Sequence, residues 1–406
     1  MMKSNKVLIL ATVLTVFCFL AVPVFGPSVV FAEEKGKLIK VIDKSNLDEI
    51  KDDLSVAHQI RISEWGMKAN LREKKQYTYE PPPGFMAATL NRKTKVTLDP
   101  DKGLLNYYDQ GGWPFPEPEN GTEIIWNGLK SCFMGDDFDH PYVGHFMGPR
   151  GDERSIGGSW TSIQWVARTD IEPLGGFSPN PNGIEHKETI FQTYPFELKG
   201  TSILTIRYMA PEKEDNMWIY VASLRRIRRM SASQRCDTYI GSDFIYDDFG
   251  GMSWKGESAD YKLLEEKEMW LGMNNVDAIP YSKGKPYPQR ISEDLEKRPC
   301  YIIEVKHHDP NYVYGRRVVY IDKETYTPVT TDVYDTKGNF WKSIVYSSNI
   351  RDNYVEGVTY DVYDMKARCC TLLDMKQLVT NKSNHKINNN WDPNHYTTAY
   401  MKKLGR

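Results

Sequence analysis

Four short runs in the last third of the chain restrict the fold more than any other feature. Arg317 to Ile321, Pro328 to Tyr334, Phe340 to Tyr346 and Val358 to Tyr363 are rich in Val, Ile, Thr and Tyr. Between them stand Asp322-Lys323-Glu324, Asp335-Thr336-Lys337-Gly338-Asn339 and Asp352-Asn353, which carry turn chemistry. β-Prone runs of five to seven residues at this spacing predict an antiparallel meander. One face of such a sheet meets a core and the other meets water or a helix layer. Aromatic residues make up 12% of the chain, with 25 Tyr and 10 Trp, which favours strands again.

Upstream, Trp160 to Thr169 and Glu188 to Met209 read as strand regions divided by the Gly/Pro-rich stretch Pro173 to Gly183. Met217 to Leu224 is a further strand candidate, and Glu123 to Lys130 a short helix. Ser45-Asn46-Leu47-Asp48 fits a capping box ahead of Leu47, Ile50, Leu54, Ala57 and Ile60, predicting an amphipathic helix on the sheet. Its polar face carries Asp48, Glu49, Asp52 and Asp53, the wrong sign for an anionic lipid surface. The Asn-rich stretch Asn381 to Asp392 is expected to be a loosely ordered tail.

The first 32 residues read as an export signal. Lys3 and Lys6 precede an uncharged apolar run from Val7 to Phe25, and Val30-Phe31-Ala32 offers a cleavage site after Ala32. Pro23, Gly26 and Pro27 break the run before a spanning helix is complete. The sequence therefore predicts a signal peptide over 1–32, a single domain over 33–406 and a periplasmic location. The whole chain has 52 Lys+Arg against 54 Asp+Glu. Cleavage removes two lysines and no acids, leaving a net charge of about −4 that argues against a nucleic-acid partner. In an oxidising compartment Cys132, Cys236, Cys300, Cys369 and Cys370 could form bridges, whose pairing stays open. Cys369 and Cys370 are adjacent and, on a strand, would reach opposite faces, so each is expected to seek a distant partner.

No catalytic constellation stands out. The chain lacks a Gly-x-Ser-x-Gly elbow, a His-Glu-x-x-His pair and a phosphate-binding glycine loop. Asp136-Asp137-Phe138-Asp139-His140 and the group Asp243, Asp247 and Asp248 read as solvated loops rather than metal sites, and no cofactor is called for. His307-His308 looks like a strand end entering a turn. The sharpest local feature is Arg225-Arg226-Ile227-Arg228-Arg229. Arg225, Arg226, Arg228 and Arg229 could form a rim for an anionic head group, or pair with acids such as Asp237, Asp243 and Asp247.

Several segments together resemble the family known as domain of unknown function 1329, grouped with the outer-membrane lipoprotein-sorting fold of LolA and LolB. They are Trp113-Pro114-Phe115-Pro116 through Glu123, Trp126 and Asn127; Met217-Trp218-Ile219-Tyr220 leading into the arginines; Gly241-Ser242-Asp243 with Tyr246-Asp247-Asp248-Phe249; and Arg316 to Asp322 with Tyr334-Asp335. The resemblance implies an α+β fold: a curled antiparallel sheet, an unclosed barrel, with helices covering its concave face. It implies a non-catalytic carrier or chaperone for a lipid-like or hydrophobic ligand. Cavity-lining candidates are Trp126, Trp165, Phe191, Trp218, Tyr220 and Trp341, each of which could equally be ordinary core. The alternatives are an accessory protein of an envelope transporter or outer-membrane protein, and a secreted carboxylate- or metal-dependent hydrolase.

Overall fold

The computed structural model describes residues 35–75, 78–131, 135–276, 279–282, 288–375 and 386–405. The export-signal segment and Cys132 lie outside the described residues. Sixteen strands join one sheet among them. Its long members are β1 (Leu38–Ile42), β2 (Lys68–Arg72), β3 (Asp137–Gly148), β4 (Gly151–Gln164), β5 (Ile184–Tyr194), β6 (Ser202–Tyr208), β7 (Asn216–Val221), β8 (Arg226–Met230) and β9 (Ala259–Leu271). They continue with β10 (Ser292–His307), β11 (Arg316–Asp322), β12 (Pro328–Tyr334), β13 (Phe340–Arg351), β14 (Tyr354–Asp364) and β15 (Cys369–Asp374).

The spatial order is β1-β2-β10-β11-β12-β13-β14-β15-β3-β4-β5-β6-β7-β8, with β9 paired to β10. Two meanders, β10 to β15 and β3 to β8, are therefore stitched together by β15 against β3. Every pairing is antiparallel except β2 with β10. The sheet does not close, because β8 ends one side while β9 and β1 end the other.

The expected C-terminal meander is present, and its turns follow the predicted chemistry. Asp335 Oδ1 accepts from the backbone N–H of Lys337 and Asn339 at 2.9 and 2.8 Å, and Gly338 sits at φ 82°. Asp352 and Asn353 both adopt left-handed φ, as a two-residue hairpin turn requires. Glu188 to Met209 is two strands rather than one region, folded back at residues 195–201.

The N-terminal helix starts later than its first capping signal. The Ser45 hydroxyl and N–H both bond Asp43 Oδ1, at 2.6 and 2.8 Å, so Ser45 caps no helix. Residues 47–53 form two 3-10 turns, and α1 (Val56–Ser63) is capped by Ser55, whose oxygen accepts from His58 N–H at 3.2 Å. Asp332 on β12 accepts from the two preceding amides of the first turn, Val56 and Ala57. A carboxylate at the start of a helix meets both its unpaired N–H groups and its positive end.

The period-two alternation of β12 separates two covered faces. Asp332 points to α1, whereas Val333 packs with Tyr246, Ile344 and Tyr360 under the turns of residues 246–251. Helix α2 (Pro83–Leu90) places Phe85 against Trp113. On the Val333 side, α3 (Gly121–Leu129) lays Ile124 and Ile125 on Ile303, Val319 and Ile321. At the other end of the sheet, α4 (Thr398–Leu404) covers Ile163, Leu204 and Tyr220 through Met401, on the α1 side. The described part of the expected loose tail is anchored instead. Lys386 and Ile387 pair with β3, and the amides of Asn389 and Trp391 donate to Asp137 at 2.7 and 3.0 Å.

Candidate functional site

A cavity of about 160 Å³ lies between one end of β3 to β6, helix α3 and the turns following residue 249. Its apolar wall is aromatic: Phe138 and Trp160 from the sheet, Trp126 from α3, Tyr108, and Phe249 and Trp254 from the turns. Phe138 and Trp160 meet edge to face at 4.9 Å, a favoured arrangement of ring quadrupoles.

The polar wall depends on a break in the strand. A β-bulge between Ile184 and His186 disturbs the β5–β6 register. Consecutive strand residues normally point to opposite faces, yet Glu185 and His186 both line the cavity, and Glu188 joins them. Lys130, at the end of α3, sits 2.6 Å from Glu185, and Tyr108 donates to the same carboxylate at 3.3 Å. The His186 ring bridges Glu185 at 3.3 Å and Glu188 at 2.9 Å, and the Trp160 N–H donates to Glu188 at 3.1 Å.

Burial alone would lower the His186 pKa. Hydrogen bonds to Glu185 and Glu188 outweigh it, and the net shift is upward. Burial likewise opposes ionisation of Glu185, but Lys130 and His186 hold its carboxyl well below the usual range. The site is thus an alternating array of basic and acidic side chains, Lys130, Glu185, His186 and Glu188, beside an aromatic floor.

From its edge a buried ion ladder runs into the core. Arg207 grips Asp215 at 2.9 Å, Arg235 bridges Asp215 at 2.9 Å and Asp247 at 2.6 Å, and Tyr312 donates to Asp247 at 2.8 Å. Arg317 follows, 3.0 Å from Asp248 and 2.5 Å from His307 Nε2. Burial, reinforced by Arg317, pushes His307 down to about 3, so its neutral ring accepts from the guanidinium.

These contacts correct two expectations. Asp247 and Asp248 are buried anchors and not loop-solvated, and Asp243 accepts from the Thr371 hydroxyl at 2.8 Å. Asp136 is buried too, taking the amides of Thr169, Asp170 and Ile171. Among the described residues no group of three or more His, Cys, Asp or Glu is arranged to hold a metal ion. Cys236, Cys300, Cys369 and Cys370 are unbridged, in place of the distant pairing expected. Cys369 and Cys370 do reach opposite faces, toward Asp243 and the Pro288 carbonyl.

Of the six aromatic candidates, Trp126 lines the cavity. Trp165 meets Phe177 in a tilted pair at 4.7 Å, with the Lys187 ammonium 3.7 Å above its ring. Register places Phe191, Trp218 and Tyr220 on the α4 side of the sheet, opposite Ser202, Leu204 and Ser202 respectively. Trp341 donates to Asp364 at 2.9 Å and meets Tyr314 edge to face. The arginines do not gather into a rim around the cavity. Arg225 occupies the left-handed position of the β7–β8 turn. Arg226 and Arg228 point to one face of β8 and Arg229 to the other, where it donates to Asn216. Among the described residues none of the four is ion-paired; Asp247 is already held by Arg235. Glu185, His186, Glu188 and Lys130 were not anticipated. The signal was there as acids flanking a histidine ahead of a strand run, but the bulge that aligns them has no mark in the sequence.

An unclosed antiparallel sheet holding a small interior cavity defines the class of the fold. An "outer membrane lipoprotein-sorting protein domain" from Vibrio parahaemolyticus is similar to it in fold, with a TM-score of 0.50 at 18% identity over 70% of this chain and 98% of that one. A DUF1329 family protein from Desulfovibrio piger superposes at 0.51, also at 18% identity, over 69% of this chain and 97% of the other. The chain belongs to the family described as "Protein of unknown function (DUF1329)", whose profile matches residues 41–402. An uncharacterized protein of Pseudomonas aeruginosa is 23% identical over 383 residues, 90% of this chain and 81% of that protein.

Proposed function

We propose that the chain is a non-catalytic carrier or chaperone of the bacterial envelope, exported by its first 32 residues and cleaved after Ala32. Its ligand is amphipathic. The apolar part lies among Trp126, Phe138, Trp160 and Phe249, and the polar part faces Lys130, Glu185, His186 and Glu188. The cavity itself carries this reading, because it pairs an aromatic wall with a polar array whose basic and acidic groups already bond one another. Burial of apolar surface supplies binding without a reacting group, at roughly 0.8 kcal/mol per methylene. At about 160 Å³ the cavity is smaller than the roughly 300–1,000 Å³ that encloses a drug-sized molecule. A short apolar group, or the end of a longer chain, fits better than an entire acyl chain. The lipoprotein-sorting description of the Vibrio domain supports a hydrophobic cargo by analogy of fold.

The test is purification under mild conditions from the periplasm, followed by solvent extraction and mass spectrometry. A near-stoichiometric amphipathic compound is expected. A ligand-free protein that also refuses short-chain fluorescent amphiphiles would overturn the proposal.

A further inference from the structure

The end of the sheet opposite the cavity gathers exposed apolar side chains and exposed cations. Tyr194 and Phe196, at the β5–β6 turn, are 57% and 88% exposed, and Leu224 at the β7–β8 turn is 55% exposed. Single exposed apolar residues are ordinary. These three stand on two turns that lie side by side, because β6 pairs with β7 and the Thr201 hydroxyl accepts from Ala222 N–H at 3.4 Å. The C-terminal end of α4 joins them. A Cβ added to Gly200 would meet Gly405 Cα at 2.9 Å and Ala222 Cβ at 3.5 Å. That contact brings Lys402 and Lys403 to the same end, both exposed. Leu198 packs on the core and fixes the β5–β6 turn, leaving Phe196 pointing outward.

Around the apolar tips lies a cationic collar of Arg225, Arg226, Lys402 and Lys403, extended along the edge strand by Arg228 and Arg229. Among the described residues no acid pairs with these side chains, and Glu197 is the acid within the β5–β6 turn. From Tyr194 to His186 the strand runs about 25 Å at ~3.3 Å per residue, so the collar is remote from the cavity.

We infer that this end of the sheet is a docking surface for the anionic headgroups of a phospholipid bilayer. Protruding aromatic and aliphatic tips ringed by arginine and lysine match the boundary between headgroups and acyl chains. There, apolar side chains enter by roughly 5–10 Å and cations meet phosphates. Guanidinium groups suit phosphate because they donate in a planar fork. An acidic protein would satisfy the collar but would leave Phe196, Tyr194 and Leu224 projecting without partners. Docked this way, the chain presents its cavity end away from the bilayer. The inference does not depend on what the cavity holds.

The test is co-sedimentation of the exported protein with vesicles, either pure phosphatidylcholine or containing about one third phosphatidylglycerol. Binding to the anionic vesicles that falls steeply with added salt is expected. Phe196→Asp with Leu224→Asp should weaken it at least tenfold, as should Arg225→Glu with Arg226→Glu, at roughly a fivefold loss per cation removed. Exposed positions of this kind leave the unfolding midpoint nearly unchanged, so circular dichroism melts serve as the folding control. No binding at low salt, or equal binding by folded variants, would overturn the inference. Salt-sensitive capture by polyglutamate without any vesicle binding would overturn it in favour of an acidic protein partner.

Discussion

The Arg317 guanidinium lies 3.0 Å from Asp248, and both side chains are wholly excluded from water. Arg317 belongs to β11, and Asp248 to the turns packed on the sheet's cavity side, so one ion pair pins those turns to the sheet. Tyr314 adds a hydrogen bond to Asp248 at 2.8 Å, and the Tyr360 hydroxyl donates to its backbone carbonyl. Removing one partner of a buried pair strands the other charge, at a cost of about 3–5 kcal/mol. Asp248→Ala should therefore lower the denaturant midpoint by that equivalent, and a loss below about 1 kcal/mol would contradict the pinning role.

The His186 array makes stability depend on pH in a defined direction. A folded pKa raised above the unfolded value of about 6.5 gives stabilisation that is complete below it and fades as pH rises through the folded value. Glu185 and Glu188 are lowered, so their contribution is present above about 4.3 and fades on acidification. The stability gap between wild type and His186→Gln should peak between those limits, at about 1–3 kcal/mol. Melting curves from pH 4 to 9, at roughly half-unit steps, would show it; a gap that widens above pH 8 would contradict the assignment.

Asp332 titrates in the opposite sense. Burial pushes it up to about 6, although the amides of Ala57 and Val56 pull the other way. The folded chain then binds a proton that the unfolded chain gives up, and stability falls as pH rises from about 4 to about 6. Asp332→Asn should flatten that slope, which amounts to roughly 3 kcal/mol at most. Denaturant titrations at the two ends of that range measure it directly, and an unchanged slope would contradict the shift.

These features were unequally legible in the sequence. The C-terminal meander was readable because its strands are local and each turn carries its own Asp, Asn or Gly signature. Helix α3 was readable from Glu123 to Lys130, close to its observed span. The helix starts ten residues after the Ser45 signal, because Ser45 bonds Asp43 instead and the first amides of α1 are held by Asp332, far away in sequence. The ion ladder was invisible for the same reason: Arg207, Asp215, Arg235 and Asp247 are scattered charges in sequence until the fold buries them together. Trp126 lies in the cavity wall, whereas strand alternation turns Trp218 and Tyr220 to the opposite face, a distinction that aromatic type alone does not carry.

The cavity can be closed from its wall without touching its charges. A Cβ on Gly256 would run into the indole of Trp126 and force that ring to move. Gly256→Ala should reduce amphiphile uptake by about tenfold or more while costing about 1–3 kcal/mol of stability, the usual range for overpacking. Trp126→Ala enlarges the same space and should instead admit longer apolar groups. Equal uptake by all three proteins would place the ligand elsewhere.

The most direct measurement is native mass spectrometry of the exported wild type and Gly256→Ala, purified side by side. The carrier account expects a mass adduct near one to one on the wild type, with apolar and polar parts revealed by fragmentation, and its loss from the variant. No adduct on either protein, or the same adduct on both, would contradict it.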